Sequence, residues 1–378
     1  MQKPIYLDYA ATTPVDPRVA EKMTHYLTAD GVFGNASSTH FFGREAKKAI
    51  EEAREQVADL VDAEPAEIIW TSGATEANNL ALKGAAELYQ QKGRHIITVK
   101  TEHSAVLDCC QFLEKKGFFV TYLSPEKNGI ISKEALLEAI RDDTILVSVM
   151  HLNNETGVIQ DIQRLAEITS ARGILFHTDA AQSAGKIPLS IRKTPVDLVS
   201  FSGHKLYGPK GVGALYVRRK PRVRLAAQIH GGGQEQAMRS GTLPTHQIVG
   251  IGEAFAIAKR EIKNDEARIR ECRDAFWQGL QPLVAKGLSA NTDFSCSFPG
   301  ILNICFPNTT AEKLMSALPI IALSRGSACL SKGIEPSYVL RAMGLTTELA
   351  ASSVRFSFGR FTTLEEVRRA AEEVRRFF

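Results

Sequence analysis

Apolar residues recur at two alternating spacings along most of the chain, and these spacings predict alternating helices and strands. From Arg44 to Val61, apolar side chains return every three or four residues, as on one face of an amphipathic helix. Residues 76–93 show a similar helical pattern, which ends at Gly93. Short, mainly apolar runs follow, and we interpret them as buried strands: 95–99, 118–123, 144–152, 174–180, 197–203 and 213–217.

Helical patterns separate most of these strands, at 104–117, 132–140 and 161–172. Strands that alternate with helices favour a mainly parallel sheet, because parallel neighbours need a crossover connection. The sequence therefore predicts an α/β fold whose main sheet is covered by helices on both faces.

The last third of the chain has a different pattern. A long helical stretch is followed by strand-like segments at 301–306 and 352–359 and by a terminal helix. We predict a large domain over 15–260 and a smaller α+β domain formed by 1–14 together with 261–378.

Composition places the chain among soluble globular proteins. It has 378 residues, of which 44% are hydrophobic and 23% charged, enough for two domains with substantial cores. No apolar run approaches the roughly 20 residues that a membrane span needs, and the N-terminus lacks the features of a targeting peptide. The net charge of +4 is too small to indicate nucleic-acid binding. We expect a cytoplasmic protein that contacts neither membranes nor nucleic acid directly.

The six cysteines do not form a metal-binding pattern. There is no CxxC motif and no Cys/His cluster at zinc spacing, so we predict no metal site and expect free thiols. The segment 218–224 carries five basic residues in seven. It is equally compatible with a solvated face and with a docking surface for an acidic partner.

Polar side chains follow four of the predicted strands. In open parallel sheets, ligands bind beyond the carboxyl ends of the strands. Four polar strand ends therefore indicate one site, although four independent surface loops are the alternative. The candidate residues are His103, Asn154, Asp179, Gln182, Ser202, His204 and Lys205.

Lys205 and Asp179 suggest pyridoxal 5'-phosphate (PLP). That cofactor needs a Schiff-base lysine, a partner for its pyridine nitrogen and a phosphate cradle. The stretch 71–79, with Thr75, is a glycine-containing turn into a helix, which suits an anion but is also typical of a plain N-cap. The turn around Lys205 is not a nucleotide P-loop, because Pro209 stands where that motif requires its lysine.

The chain resembles a known family over almost its whole length. The matching blocks, in order, include FGNASSTH, TSGATEANN, TEHSAVLD, HLNNETG, HTDAAQSAGK, SGHKLYGPKG, RSGTLPTH and RGSAC. They resemble the IscS/NifS-type cysteine desulfurases, which are PLP enzymes of the aspartate-aminotransferase fold. A selenocysteine lyase, a transaminase or a non-enzymatic sulfur-assembly protein on the same fold are the alternatives.

The resemblance implies a role around the cofactor for each polar strand end. Lys205 would form the Schiff base, Asp179 would pair with the pyridine nitrogen, Gln182 would bond the phenolic oxygen, and His103 would stack on the ring. The phosphate would be held by Thr75, Ser202 and His204, and by Thr242 from the other subunit of a homodimer.

The resemblance also implies the substrate and the path of the sulfur. Asn154 and Arg355 would bind the carboxylate of L-cysteine. Catalysis by Lys205, with help from His103, would release L-alanine and leave the sulfur on Cys329 as a persulfide. Sulfur-acceptor proteins, such as an iron–sulfur scaffold or a tRNA-thiolation protein, would then take it. Arg325 departs from the family pattern; it could lower the pKa of the Cys329 thiol, steer an acidic acceptor or simply be solvated.

Overall fold

The computed structural model describes residues 4–325 and 336–378. Its main sheet has seven strands in the order β2-β8-β7-β6-β5-β3-β4. Their bounds are β2 Ile68–Thr71, β3 His95–Val99, β4 Phe119–Leu123, β5 Thr144–Ser148, β6 Leu175–Asp179, β7 Leu198–Ser202 and β8 Gly213–Val217. All neighbours are parallel except those that involve β8, which confirms the predicted mainly parallel sheet.

Strands β2 and β8 differ from the simple alternation. β2 has only four residues, and the sequence pattern did not predict it as a strand. β8 runs antiparallel to β7 because only residues 203–212 connect the two strands, too few for the crossover that a parallel pair requires. That short connection contains Lys205.

Helices cover both faces of the sheet, as predicted. They are α1 Pro17–Thr24, α2 Phe41–Leu60, α3 Ala74–Tyr89, α4 Ser104–Glu114, α5 Lys133–Ala139, α6 Ile162–Ser170 and α7 Thr245–Leu280. Successive strand residues point to opposite faces. Val147 and Trp70 pack in the core under α2, α6 and α7, whereas their neighbours Leu146 and Ile69 pack in the core under α3 and α4.

A second core lies in the C-terminal part of the chain. Strands β9 Ser289–Ala290, β10 Ile301–Cys305 and β12 Ser353–Ser357 form an antiparallel sheet, and β1 Ile5–Tyr6 pairs with β11 Ile321–Ala322. The accompanying helices are α8 Ala311–Ala317, α9 Tyr338–Ala342, α10 Thr347–Ala351 and α11 Leu364–Phe377.

Helix α7 belongs to both cores. Its 36 residues run without interruption, with Phe255 in the main core and Phe276 in the second core. The predicted domain boundary at residues 260 and 261 therefore falls inside a continuous helix and stays a prediction. In the part of the chain that the structure describes, no helix is long and apolar enough to cross a membrane.

The N-terminal segment joins the second core to the short connection between β7 and β8. The backbone N–H and the hydroxyl of Thr13 both donate to the carbonyl of His204, at 3.0 and 2.9 Å. The N–H of Tyr207 donates to the same hydroxyl at 2.8 Å. These bonds fix the turn that carries Lys205 from both sides.

Candidate active site

A cleft of about 1110 Å³ opens where the carboxyl ends of the parallel strands meet the start of α3 and the N-terminal segment. Most of the predicted site residues line this one cleft. They are Thr75, His103, Asn154, Asp179, Gln182, Ser202, His204, Lys205 and Arg355. The polar strand ends thus converge on a single site and are not independent surface loops.

The Lys205 amine is fixed by two backbone carbonyls. It donates to the oxygens of Ala10 and Ala11, at 2.6 and 2.8 Å. Burial, together with the Arg355 guanidinium, lowers the pKa of Lys205 to about 8 against the opposing effect of Asp179 and Asp8. A substantial share of the amine is therefore neutral near physiological pH, which is the form that attacks a carbonyl carbon.

Asp179, the last residue of β6, presents a carboxylate that is held on both oxygens. The side-chain amide of Asn78 donates to Oδ2 at 2.7 Å, and the N–H of Ala181 donates to Oδ1 at 2.9 Å. Asn78 is fully buried on α3. Sequence reasoning missed it, although a polar residue on the apolar face of a helix was a visible signal.

His103 caps the helix that follows it. Its Nδ1 accepts a hydrogen bond from the N–H of Ala105 at 3.1 Å, so the neutral ring carries its proton on Nε2. The ring thus has a structural contact on one nitrogen while it lines the cleft. This histidine therefore combines a structural hydrogen bond with a place in the cleft wall.

The start of α3 forms an open cradle for an anion. Gly73 has a φ of +152°, and a Cβ at that position would meet no atom within 4 Å. Ser72, Gly73 and Thr75 line the cleft at the N-terminal end of the helix, where backbone N–H groups and the helix dipole favour negative charge.

His204 faces the same cradle as a neutral ring. Burial lowers the pKa of His204 to about 4, and the charge of Lys205 adds to the effect. Its Nδ1 lies 3.0 Å from the hydroxyl of Thr12. With that hydroxyl donating, Nε2 carries the proton and can donate to an anion.

Gln182 has a fixed amide orientation. Its Nε2 donates to the carbonyl of Ala10 at 2.7 Å, and its Oε1 accepts from the Lys186 amine at 2.8 Å. A carbonyl can only accept, so the NH₂ group must face Ala10. The remaining N–H of that group is a donor for an oxygen in the cleft.

Arg355 is held by partners from three segments. Its Nη1 donates to the carbonyl of Asn154 at 2.7 Å, and its Nη2 donates to Asp8 Oδ1 at 2.8 Å and to Ser324 Oγ at 2.7 Å. The residue is only 1% exposed. A guanidinium fixed in this way at the wall of a cleft suits a carboxylate ligand.

These groups together fit PLP. The cleft offers a buried amine of lowered pKa, a carboxylate held in one orientation, an amide N–H donor and an open anion cradle. Among residues 4–325 and 336–378, no group of three or more His, Cys, Asp or Glu residues could hold a metal ion.

The model of the aminotransferase class-V family matches residues 5–370. The cysteine desulfurase IscS of Serratia proteamaculans is 60% identical over 377 residues, which cover 100% of this chain and 93% of that protein. The chain belongs to the class-V aminotransferases. Within them it is one of the IscS/NifS-type cysteine desulfurases, which depend on PLP.

Solved structures agree with this membership. A NifS-like protein is 37% identical with a TM-score of 0.92, and the match covers 99% of both chains. The structure described as SspA in complex with cysteine is 38% identical with a TM-score of 0.81, and the match covers 95% of this chain and 99% of that one. The family, the fold and the cofactor predicted from the sequence are confirmed.

Among the described residues, one predicted site residue of this desulfurase, Thr242, does not line the cleft. Thr242 is exposed on the surface of its own chain. Cys329 lies outside the described residues. Arg325 lines the cleft and forms an ion pair of 3.4 Å with Glu312. Its side chain is 35% exposed, so the three interpretations given for it stay predictions.

Proposed function

We propose that this cleft converts L-cysteine to L-alanine and delivers the sulfur to Cys329. The observation that carries the proposal is the meeting of the Lys205 amine, the Asp179 carboxylate and the Arg355 guanidinium in one cleft. A Schiff-base lysine, a partner for the ring nitrogen and a carboxylate-binding cation are what a PLP enzyme acting on an amino acid needs.

The residues that would hold the cofactor come from four segments of the chain: the start of α3, the residue before α4, the end of β6, and the end of β7 with the turn that follows it. Lys205 would bind it covalently, Asp179 would keep a proton on the pyridine nitrogen, Gln182 would donate to the phenolic oxygen, and His103 would cover one face of the ring. The phosphate would be held by Thr75, Ser202 and His204, with Thr242 of a second subunit. PLP, when bound, supplies the electron sink that stabilises the carbanion formed at the substrate α-carbon.

Substrate orientation depends on Arg355 and Asn154. The guanidinium binds the carboxylate of L-cysteine. Its hydrogen bonds to Asp8 and Ser324 keep the guanidinium in one position, so the substrate is bound in one orientation. Asn154 contributes from the end of the loop after β5, where its own carbonyl anchors the guanidinium.

Proton transfer depends on Lys205 and His103. The Lys205 amine would take the α-proton of the substrate, which its lowered pKa allows near neutral pH. The Nε2–H of His103 assists the return of a proton.

The sulfur then moves from the substrate to Cys329. The Cys329 thiolate attacks the substrate sulfur, the bond between Cβ and that sulfur breaks, and its electron pair stays with the substrate carbon skeleton. Protonation of that skeleton yields L-alanine, and the enzyme keeps a persulfide.

We further propose that the chain acts as a cytoplasmic homodimer and passes its sulfur to protein acceptors, such as an iron–sulfur scaffold or a tRNA-thiolation protein. The exposed position of Thr242 supports a role in a partner's cleft. Basic residues 218–224, mostly exposed, suit an acidic acceptor.

Covalent trapping tests the assignment of Lys205. Borohydride reduction of the PLP-loaded chain should fix one cofactor, and peptide mass mapping should locate it on Lys205. Lys210→Ala is the matched control, because Lys210 lines the same cleft from the same turn. A cofactor retained on another lysine, or an unchanged yield in Lys205→Ala, would refute the proposal.

A further inference from the structure

One carboxylate stands where the proposed function needs a binding site for phosphate. Glu76 lines the cleft from the first turn of α3, next to Thr75. An ionised carboxylate beside a phosphate repels it, and the low effective dielectric of a cleft strengthens the repulsion. The presence of Glu76 in the cradle therefore requires a compensating charge.

Arg239 supplies that charge from behind the cradle. Its Nε donates to Glu76 Oε1 at 2.8 Å, and its Nη2 donates to Oε2 at 3.3 Å. Oε2 also accepts from the N–H of Ser72 at 2.8 Å. The side chains of Arg239 and Glu76 are 17% and 16% exposed, and Arg239 does not line the cleft.

The carboxylate of Glu76 is charged at neutral pH. Burial acts to raise the pKa of Glu76, but the bonds from Arg239 and Ser72 outweigh it and lower the pKa. The cradle thus contains the negative charge of Glu76, which is paired with the positive charge of Arg239.

The segment that carries Arg239 is itself anchored. Glu235 accepts from both terminal nitrogens of Arg54, at 2.8 and 2.9 Å, and from the N–H of Trp70 at 2.7 Å. Three consecutive non-glycine residues, 235–237, have φ values of 46°, 57° and 60°. Such left-handed backbone is costly and persists only where surrounding contacts fix it, so the position of Arg239 is strongly determined.

We propose that Arg239 is a positioning residue for cofactor binding, which neutralises Glu76 and turns it away from the anion so that the α3 cradle can accept the phosphate of PLP. The proposal rests on the proposed function. A purely structural ion pair is the alternative, since partly exposed pairs contribute little to binding or stability by themselves.

The test compares two ligands that differ only in the phosphate. The full-length chain, freed of cofactor, is titrated with PLP and with pyridoxal, and binding is followed by fluorescence quenching. Arg239→Met should raise the Kd for PLP about tenfold, which corresponds to a loss of about 1.4 kcal/mol of binding free energy. The Kd of this variant for pyridoxal should stay within about twofold of the wild-type value.

A second substitution separates charge from structure. In the double variant Arg239→Met with Glu76→Gln, the unpaired charge is gone, and the Kd for PLP should return to within about threefold of wild type. Arg239→Lys keeps the positive charge but not the two hydrogen bonds to Glu76, so it should give a Kd for PLP between those of wild type and Arg239→Met. The lysine variant replaces Arg239→Met in the test if Arg239→Met does not fold. Lys22→Met, which breaks an ion pair of 2.7 Å with Glu253 away from the residues that line the cleft, is the matched control and should not change the Kd.

Three results would overturn the proposal: an unchanged Kd for PLP in Arg239→Met, an equal loss for PLP and pyridoxal, or no recovery in the double variant. Failure of the proposed function gives a different result, because the wild-type chain would then bind PLP with the same dependence on Arg239 but would form no L-alanine from L-cysteine.

Discussion

Replacement of Arg355 by lysine tests how the cleft holds its substrate. The substitution keeps one positive charge but removes the planar fork that reaches Asn154, Asp8 and Ser324 simultaneously. A lysine ammonium at this position cannot keep these three partners and also present two parallel N–H groups to a carboxylate.

The expected effect follows from the hydrogen bonds lost. A hydrogen bond to a charged group contributes about 1.5–3 kcal/mol. Loss of one such bond to the substrate carboxylate should raise the KM for L-cysteine roughly 10- to 150-fold. The value of kcat should fall less than KM rises, because the reacting carbon and sulfur are not contacted by Arg355.

The assay is steady-state alanine formation with saturating PLP. Cysteamine, which has the amine and the sulfur of cysteine but no carboxylate, serves as the control ligand in a spectral binding titration. Arg355→Lys should leave the affinity for cysteamine unchanged. An unchanged KM for L-cysteine in a folded variant, or an equal loss of affinity for cysteamine, would contradict the reasoning.

Three further predictions concern Lys205, Glu155 and Arg360. The rate at which the cofactor-free chain captures PLP should rise with pH and level off above about 8, as the Lys205 amine becomes neutral; a rise that continues to pH 10 would indicate an ordinary lysine. Burial raises the pKa of Glu155 from 4.5 to about 7, so the folded state holds a proton that the unfolded state releases, and wild-type stability should fall as pH rises from 4.5 to 7. Glu155→Gln should therefore be more stable than wild type at pH 8, by up to roughly 3 kcal/mol. Thermal unfolding at pH 5 should show a smaller difference between the two proteins. An equal difference at both pH values would exclude the ionisation of Glu155 as the cause. Arg360 donates to Asp16 and to Asp265, each at 2.8 Å, and all three side chains are largely buried. Arg360→Met should therefore lower the free energy of unfolding, measured by urea denaturation, by about 3–5 kcal/mol. A loss below about 1 kcal/mol would refute a stabilising buried network.

Most of the main sheet could be predicted because its strands are buried on both faces and therefore continuously apolar. β3 and β8 have the predicted bounds, and the other predicted strands differ mainly at their ends. β2 was missed because four residues, of which three are apolar, are too few to distinguish a strand from the start of a buried helix. The antiparallel direction of β8 depends on the length of the connection between β7 and β8. The spacing of apolar residues does not indicate strand direction.

The site could be predicted as far as it consists of side chains at strand ends. Asp179 ends a buried strand, His103 and Lys205 each follow one, and topology brings those strand ends together. The partners that fix them could not be predicted. The Lys205 amine is held by the carbonyls of Ala10 and Ala11, almost 200 residues away in sequence, and backbone carbonyls leave no trace in a residue pattern.

Glu76 and Arg239 illustrate the same limit for charged residues. They are 163 positions apart, and in the sequence each resembles an ordinary surface charge. Only the packing of the 235–237 turn brings them together behind the cradle.

The central claim is that sulfur leaves L-cysteine for Cys329, and labelled sulfur tests it most directly. The PLP-loaded chain is given L-cysteine that carries a radioactive sulfur atom, and alanine release is compared with label retained on the protein under non-reducing conditions. In a single turnover, wild type should retain about one labelled sulfur on Cys329 for each alanine released, and Cys329→Ala should retain none and lose turnover. Full turnover of L-cysteine to L-alanine by Cys329→Ala would contradict the account.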